Sequence, residues 1–354
     1  MHSLIRRARE RELEAHDTSE TCEPGSPGSG LPRDPDEDRL LRISESLSIH
    51  ALVVGFGESG ARIAKLCSQE LDPRLVDSAV CNSEPKPIHT PSPCHPRRVS
   101  SDENEWLAEA RHLMPGGGLH LLLLVADLGD RRACHLAGRF ASAMRATIAG
   151  GPMVVSLTTA HQSDAADLYL LLASEQFRGI LHKSAVTIVL SAAELDDLPT
   201  KGRPEILSRV VDELGLTVVE SICKMVVCTD VPCRLPDFND FPPVFRDREV
   251  ARVGIAEGDI DHVEEMVTEV LGSTPLRYVD LSAVSAALVQ ITAGSAVTVP
   301  LAENLVKLVQ DRLPHRAKVL WAMAPDPTLG VADHLRLVVL LGVGETIVRV
   351  GERE

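Results

Sequence analysis

The sequence contains few aromatic residues and no long uninterrupted hydrophobic run. Phe, Trp and Tyr make up 3% of its 354 residues, so its core must be mainly aliphatic. No apolar run reaches the roughly 18 residues that a membrane-spanning helix needs. The stretch 1–17 is charged and lacks the apolar segment of a signal peptide. We therefore expect a cytoplasmic protein with no direct membrane insertion.

Excess positive charge and closely paired cysteines are also missing. The formal net charge is -15 at pH 7, which disfavours nucleic acid as a partner because a polyanion is repelled. The eight cysteines contain no Cys-x-x-Cys pair. His89, Cys94 and His95 form the nearest approach to a metal cluster, but the paired ligand spacing of a zinc site is absent. We expect reduced thiols and no metal site.

The composition that remains is typical of a globular protein with about two domains. Hydrophobic residues make up 44% and charged residues 25% of the chain. The stretch 1–48 differs, because after a charged helical start it becomes rich in Pro, Gly, Ser and Asp. Such a segment cannot bury enough apolar surface to order itself. We predict a disordered, charged N-terminal extension over 1–48.

Strand-like and helix-like runs alternate between residues 49 and 203. This alternation, with apolar strands, predicts a parallel sheet covered by helices on both faces, in an α/β, Rossmann-like domain. Ligands bind such sheets at the carboxyl ends of the strands. The predicted strands are Ala51–Val54, Ser78–Cys81, His120–Ala126, Met153–Thr158 and Thr187–Leu190. The predicted helices include Glu105–Leu113, Arg132–Ala146 and Ala165–Phe177.

A glycine-rich turn follows the first predicted strand. Gly55, Gly57 and Gly60 have the spacing Gly-x-Gly-x-x-Gly, and a helix-like run begins at Ala61. Free N–H groups at the start of a helix favour a phosphate, and glycines allow the backbone to approach it. A bound nucleotide and a well-packed strand-to-helix turn are both compatible with this stretch.

The second half of the chain begins with one long apolar helix pattern. We predict a buried central helix over 204–230, since apolar residues recur on more than one of its faces. An acidic, proline-broken connecting segment follows over 231–260, and a smaller C-terminal α/β domain over 261–348. The predicted C-terminal elements are helices Asp261–Leu271 and Val299–Arg312 and strands Ala286–Thr292, Lys318–Met323 and Leu335–Gly342.

This order of parts resembles the FtsZ/tubulin superfamily over residues 49–344. The stretch Ala286–Gly294, AALVQITAG, is similar to the FtsZ strand that ends in an Ile-Thr-Gly-Gly turn. Thr274-Pro275-Leu276 is similar to the family's Ser-Pro-Leu. The resemblance implies a Rossmann-like domain, a long central helix and a smaller C-terminal domain.

The resemblance also implies catalytic residues in the acidic segment. The FtsZ loop Asn-x-Asp-x-x-Asp enters the nucleotide site of the next subunit, where its carboxylates orient the water that attacks the γ-phosphate. The matching residues here are Leu235 to Asp240, so Asp237 and Asp240 are the catalytic candidates and Leu235 replaces the Asn. An ordinary proline-rich turn also accounts for this pair of aspartates.

The matching nucleotide-binding stretches depart from the family pattern. The phosphate signature Gly-Gly-Gly-Thr-Gly-(Thr/Ser)-Gly aligns with the stretch 126–132, ADLGDRR, in which one glycine remains. The family's base-contacting Asn falls on the stretch 191–193, SAA, which has no amide side chain. The GTP- or GDP-binding candidates implied by the resemblance are Gly57, Glu58, Ser59, Gly60, Arg62, Asn82, Gly129, Arg131 and Arg132.

We therefore expect a divergent, FtsZ-like cytoskeletal or cell-division protein, filament-associated or regulatory, with weak or lost GTP binding. Its implied partners are itself or a typical FtsZ, through head-to-tail contacts. One alternative is an active GTPase in which Arg62, Arg131 and Arg132 replace glycine N–H groups as phosphate ligands. The other is an NAD-type dinucleotide-binding protein, for which Asp77 is a poor ribose ligand because it precedes its strand.

Overall fold

The computed structural model describes most of the chain from Ala51 to Val343. The described residues are 51–71, 76–81, 97–99, 120–147, 152–161, 165–195, 204–226, 240, 244, 249–273, 276, 279–294, 296–325 and 334–343. Several predictions lie outside them: the extension 1–48, the helix Glu105–Leu113, the cluster around Cys94, and the site candidates Asn82 and Asp237.

Strands and helices alternate along the described chain. The strands are β1 (Ala51–Phe56), β2 (Val76–Cys81), β3 (Arg97–Val99), β4 (Leu121–Asp127), β5 (Met153–Ala160), β6 (Val186–Ser191), β7 (Glu249–Asp259), β8 (Val284–Ala293), β9 (Lys318–Pro325) and β10 (His334–Val343). The helices are α1 (Gly57–Glu70), α2 (Arg131–Thr147), α3 (Ala165–Leu172), α4 (Glu175–Leu181), α5 (Pro204–Val226), α6 (Val263–Leu271) and α7 (Val299–Gln310). None of these helices is long and apolar enough to cross a membrane.

The ten strands form one sheet in the order β3-β2-β1-β4-β5-β6-β7-β10-β8-β9. Every pairing from β3 to β7 is parallel. Strand β10 is antiparallel to both β7 and β8, and β9 is parallel to β8. The parallel sheet predicted for the first half is confirmed, and the carboxyl ends of β1, β4, β5 and β6 lie at one edge.

The glycines of the first turn are required by close backbone packing. A Cβ atom on Gly55 would lie 2.0 Å from the carbonyl oxygen of Gly60, and one on Gly60 would lie 2.4 Å from that of Val125 in β4. Gly57 has a φ of 72°, in the left-handed region that favours glycine. The Gly-x-Gly-x-x-Gly spacing therefore seats the start of α1 directly against β4.

Two hydrophobic clusters cover the two faces of the sheet. One contains buried residues of α2, α3, α4, α6 and α7. The other contains those of α1 and of the central helix α5. Val210 to Val219 of α5 are all buried, which confirms the prediction of a central helix enclosed on more than one face.

Three features of the fold differ from the sequence predictions. The helix predicted over Ala165–Phe177 is two helices, because the hydroxyl of Ser174 accepts a hydrogen bond from the N–H of Phe177 and caps a new helix. The short strand β3, which pairs with β2, was not predicted. Strand β7 was also not predicted, because Arg252, Glu257 and two glycines give a mixed pattern in a strand that pairs with both β6 and β10.

Candidate functional site

The candidate site lies at the shared carboxyl edge of β1, β4 and β5. The β1–α1 turn contributes Gly57 to Arg62, and the β4–α2 turn contributes Asp127 to Arg132. Strand β5 and the residue after it contribute Thr159 and His161. The central helix α5 contributes Asp212, which contacts Arg62 of α1. This edge is where a parallel sheet is expected to bind a ligand.

Asp130 caps the first turn of α2 with its carboxylate. Its Oδ1 accepts hydrogen bonds from the backbone N–H groups of Arg132 at 2.9 Å and Ala133 at 3.0 Å. These are among the first N–H groups of the helix, which have no partner inside the helix itself. A negative charge is therefore already placed where the helix dipole favours an anion.

Other N–H groups of the β4–α2 turn also have acceptors within the chain. Gly129 donates to the carboxylate of Asp127 at 2.8 Å. The N–H of Leu128 donates to the carbonyl of Thr159, that of Asp130 to the carbonyl of Asp127, and that of Cys134 to the carbonyl of Asp130. Little of this turn's backbone remains to cradle a phosphate, which needs several N–H donors at once.

The side chain of Asp130 also fills the space beside the glycine turn. A Cβ atom on Gly57 would lie 2.8 Å from Oδ2 of Asp130 and 3.0 Å from Cβ of Ala133. The glycine therefore brings its backbone close to a carboxylate of the chain. A polyphosphate that approached Gly57 here would meet the carboxylate of Asp130, and like charges repel.

Arg62 connects the glycine turn to the central helix. Its Nε lies 2.6 Å from Oδ2 of Asp212, and its Nη1 lies 2.8 Å from Oε1 of Glu58. Its Nη2 donates to the hydroxyl of Ser208 at 3.2 Å. Asp212 is 5% exposed, so this is a largely buried ion pair between α1 and α5. The guanidinium is directed towards these partners rather than towards the start of α2.

Two hydroxyl groups extend this network into the sheet. Ser59 donates to Oδ1 of Asp212 at 3.2 Å, and Thr159 donates to Ser59 at 3.1 Å. Both hydroxyls are buried. The carboxylate of Asp212 is thus hydrogen-bonded from two sides, as a buried charge requires, and α1, β5 and α5 are joined by side chains.

Burial raises the pKa of both central aspartates. The pKa of Asp127 is raised by burial and by the nearby Asp130, against the N–H of Gly129, His161 and Arg62, which lower it. The pKa of Asp212 is raised by burial, although Arg62 and Ser59 favour its charged form. Nε2 of His161 lies 3.9 Å from Oδ2 of Asp127. Four carboxylates, those of Glu58, Asp127, Asp130 and Asp212, therefore lie at this edge beside three arginines.

Most of the predicted ligand candidates lie at this edge. The first two turns of α1 contain Gly57, Glu58, Ser59, Gly60 and Arg62. Gly129 lies in the turn before α2, and Arg131 and Arg132 are the first residues of that helix. Asn82 and the predicted catalytic Asp237 are outside the described residues. The other catalytic candidate, Asp240, is exposed.

Sequence reasoning missed Asp212, Thr159, His161 and Ser208. Asp212 had a detectable signal, since a carboxylate inside an apolar helix pattern needs a buried partner. Thr159 and His161 lie within three residues after the predicted strand Met153–Thr158, where functional side chains are expected. Ser208 gives no comparable signal. Among the described residues, no three or more His, Cys, Asp or Glu side chains are arranged to hold a metal ion.

Comparisons of sequence connect the chain to cell division proteins of archaea. It is 29% identical over 160 residues to FtsZ 1 of Pyrococcus woesei and 32% identical over 131 residues to FtsZ 1 of Thermococcus kodakarensis. These matches span 43% and 34% of the relatives' lengths, and 45% and 37% of this chain. FtsZ of Haloferax mediterranei is 24% identical over 339 residues, 89% of this chain and 88% of the relative. No protein-family model matches the sequence.

Comparisons of structure give the same fold over most of the chain. The FtsZ subunit of an empty M. jannaschii dimer superposes with a TM-score of 0.71, at 17% identity, over 88% of this chain and 92% of that one. CetZ2 from Haloferax volcanii, solved as a GTPγS-bound protofilament, superposes with a TM-score of 0.60, at 16% identity, over 85% and 95%. The predicted α/β fold with its parallel-sheet core is therefore confirmed.

Proposed function

Because the chain is a divergent member of the FtsZ/tubulin superfamily, we propose that it acts in cell division or the cytoskeleton as a filament-associated, regulatory subunit with weak or lost GTP binding. The observation that carries this proposal is the capping of α2 by Asp130. The fold of a nucleotide-binding polymer subunit is kept, while its own carboxylate takes the place of an anion.

A triphosphate at this edge would compete with Asp130 for the backbone donors of α2. Each hydrogen bond to a charged group contributes about 1.5–3 kcal/mol, and those from Arg132 and Ala133 are already made to Asp130. A phosphate must displace that carboxylate or stay beside it and be repelled. Losing two such bonds weakens binding by about two to four powers of ten.

GTP titration of the purified full-length protein by calorimetry tests this proposal directly, with NAD as the control ligand. We expect no binding of either in the micromolar range. Micromolar GTP binding overturns the proposal. Binding of NAD alone also overturns it and favours a dinucleotide-binding protein.

The regulatory role concerns the two ends of the subunit. A head-to-tail polymer needs a nucleotide face on one subunit and an acidic loop on the next. This chain keeps Asp237 and Asp240 in its sequence, whereas the carboxylate of Asp130 occupies the helix start at its nucleotide edge. We therefore propose that it docks its acidic segment on the nucleotide end of a typical FtsZ and blocks further growth there.

A co-sedimentation assay with a typical FtsZ tests the docking. We expect the chain to pellet with the polymer and to shorten it at substoichiometric ratios, while Asp237→Ala/Asp240→Ala weakens both effects. The matched control Glu303→Ala/Asp311→Ala removes two exposed acids of helix α7 and its C-terminal end and leaves the effect in place. Unchanged polymer length and turnover with the wild-type chain contradict the docking.

One observation favours an active GTPase as a second candidate. Helix α1 begins at Gly57 without a side-chain cap, and Arg131 and Arg132 are exposed at the start of α2. In that case phosphate binds at α1 and the two arginines balance its charge. Measurable GTP turnover that falls on Asp237→Ala distinguishes this candidate from the proposed function.

A further inference from the structure

One side of the molecule carries two surfaces of opposite charge. Helices α2, α4 and α6 all contribute buried residues to the same hydrophobic cluster, so their outer faces lie on the same side of the sheet. Helix α2 packs on β1 and β4, whereas α6 packs on β7 and β10. Strands β5 and β6 separate these positions in the sheet order, so the charged surfaces of one copy are held apart.

The first surface is basic, in a chain with a formal net charge of -15. Helix α2 contains no Asp or Glu over its 17 residues. Helices α2 and α4 pack closely, because a Cβ atom on Gly138 would lie 3.4 Å from the carbonyl oxygen of Gly179. Glu175 is the acidic exposed residue of α4. We define the basic face by the exposed Arg139, Arg145, Arg178 and Lys183, which lie beyond the β4–α2 turn.

The second surface is acidic and lies on α6 and the turn before it. The stretch 260–271 contains no Lys or Arg. Met266, Val267, Val270 and Leu271 turn inwards to the core, which leaves the acids on the outside. We define the acidic face by the exposed Asp261, Glu264, Glu265 and Glu269.

We propose that two copies of this chain pair by placing the basic face of one on the acidic face of the other. Opposite potentials steer such faces together and fix their orientation. Because both faces lie on the same side of the sheet, a two-fold arrangement engages both pairs of faces at once. The contact is polar and exposed, so each pair of faces is weak and sensitive to salt.

This association is separate from the nucleotide edge and from the acidic segment. It uses the outer faces of helices rather than the carboxyl ends of strands, and it needs no nucleotide. It therefore stands or falls independently of the proposed function. In a filament, repeated weak contacts of this kind add along the length and join neighbouring filaments by multivalency.

Sedimentation velocity of the full-length protein at two salt concentrations tests the pairing. We expect association at 0.1 M salt, where the Debye length is about 10 Å, and monomers at 1 M, where it is about 3 Å. Arg145→Glu/Arg178→Glu and Glu264→Arg/Glu269→Arg should each be monomeric at low salt. An equal mixture of the two variants should associate again, because each supplies the face that the other lacks.

The control variant Lys65→Glu/Lys307→Glu changes the net charge by the same amount as the basic-face variant, at exposed positions outside it. It should associate like the wild-type chain. A monomeric wild-type chain at low salt overturns the proposal. Association that survives either face reversal, that is not restored in the mixture, or that is lost equally in the control also overturns it.

Discussion

At the scale of single residues, Asp130 decides the character of the candidate site. Its carboxylate binds the first N–H groups of α2 and fills the space beside Gly57. An aspartate at this position stabilises the helix as a cap, and it also repels any phosphate that approaches the same turn. Under the proposed function, helix stability and the exclusion of an anion both come from this one side chain.

The variant Asp130→Asn separates these two effects. Asparagine caps a helix about as well as aspartate, so we expect the free energy of unfolding to change by less than about 1 kcal/mol. Removal of the charge should tighten GTP binding by about tenfold or more. Asp130→Ala serves as the control, since it loses the cap and should lower stability by about 1 kcal/mol. Calorimetric titration measures GTP binding, and urea unfolding measures stability. An Asn variant that binds GTP no more tightly than wild type contradicts the role of the charge.

The buried aspartates give the protein a pH dependence with a defined sign. Burial raises the folded-state pKa of Asp127 and Asp212 above the ordinary value of 3.8. The folded protein then binds more protons than the unfolded chain, so these two groups contribute stability as the pH falls through their raised pKa. That contribution is complete below 3.8, the unfolded value.

Asp127→Asn should therefore lose its share of this pH dependence. The Asn carbonyl still accepts from Gly129, but it cannot titrate. We expect the free energy of unfolding of wild type, relative to the variant, to rise as the pH is lowered from neutrality towards the unfolded value of 3.8. Urea unfolding at about pH 7 and about pH 4 measures this, and a difference that stays constant or falls on acidification refutes the assignment.

At the scale of elements, the ion pair between Arg62 and Asp212 holds the central helix to the glycine turn. Residues 150 positions apart in the sequence meet at 2.6 Å. Breaking a fully buried pair costs about 3–5 kcal/mol because one charge stays uncompensated. The cost here is lower, since Arg62 is 39% exposed and solvent screens its charge.

A double-mutant cycle with Arg62→Ala and Asp212→Asn measures this coupling. We expect both single variants to be destabilised and the double variant to be more stable than their sum predicts, by about 0.5–3 kcal/mol. The control pair Lys65→Ala and Asp212→Asn, with Lys65 exposed on the same helix, should be additive. Additivity for Arg62 and Asp212 refutes a coupling between α1 and α5.

Elements defined by local pattern could be predicted from the sequence, whereas the contacts between them could not. The apolar run at Ala51 and the glycines after it specify β1 and its turn locally, and the central helix follows from its periodicity. The pairing of Arg62 with Asp212 depends on how α5 crosses α1, which no local pattern records. Strand β7 was missed because Arg252 and Glu257 interrupt its apolar pattern while its partner strands cover both edges.

The same distinction between local pattern and contacts applies to the candidate site. Its place at the carboxyl ends of the strands and most of its members could be predicted from the glycine turn and from the family resemblance. The hydrogen bonds and ion pairs that these residues make could not be predicted. Only the folded chain brings Asp130 beside Gly57 and directs Arg62 to Asp212, so the use of the available donors was visible in the structure alone.

At the scale of the whole molecule, β7 joins the two halves into one sheet. It pairs with β6 of the first half and with β10 of the second. One hydrophobic cluster contains Leu52 of β1 together with Leu341 of β10, and the other contains Leu121 of β4 together with Leu340. Neither half has a core entirely separate from that of the other.

We therefore expect the two halves to unfold together. Calorimetry should show one transition whose calorimetric and van't Hoff enthalpies agree, because the cores are shared. Gly60→Ala provides a check, since its Cβ would lie 2.4 Å from the carbonyl oxygen of Val125 in the first half. This variant should lower the free energy of unfolding for the whole molecule by about 1–3 kcal/mol and keep a single transition. Two resolved transitions, with only the first one lowered, contradict a shared core.

Asp130 at the start of α2 also bears on how long the subunit stays on a filament, and not only on its affinity for a nucleotide. A bound nucleotide is hydrolysed and exchanged, so a subunit that depends on it changes its state with time within its filament. A carboxylate that belongs to the polypeptide is never hydrolysed, exchanged or depleted. Under the proposed function, this chain has no nucleotide-dependent change of state that would time its release from a filament. The length of its stay on a filament is then set by the turnover of its neighbours, and its own state is the same in a starved cell as in a growing one.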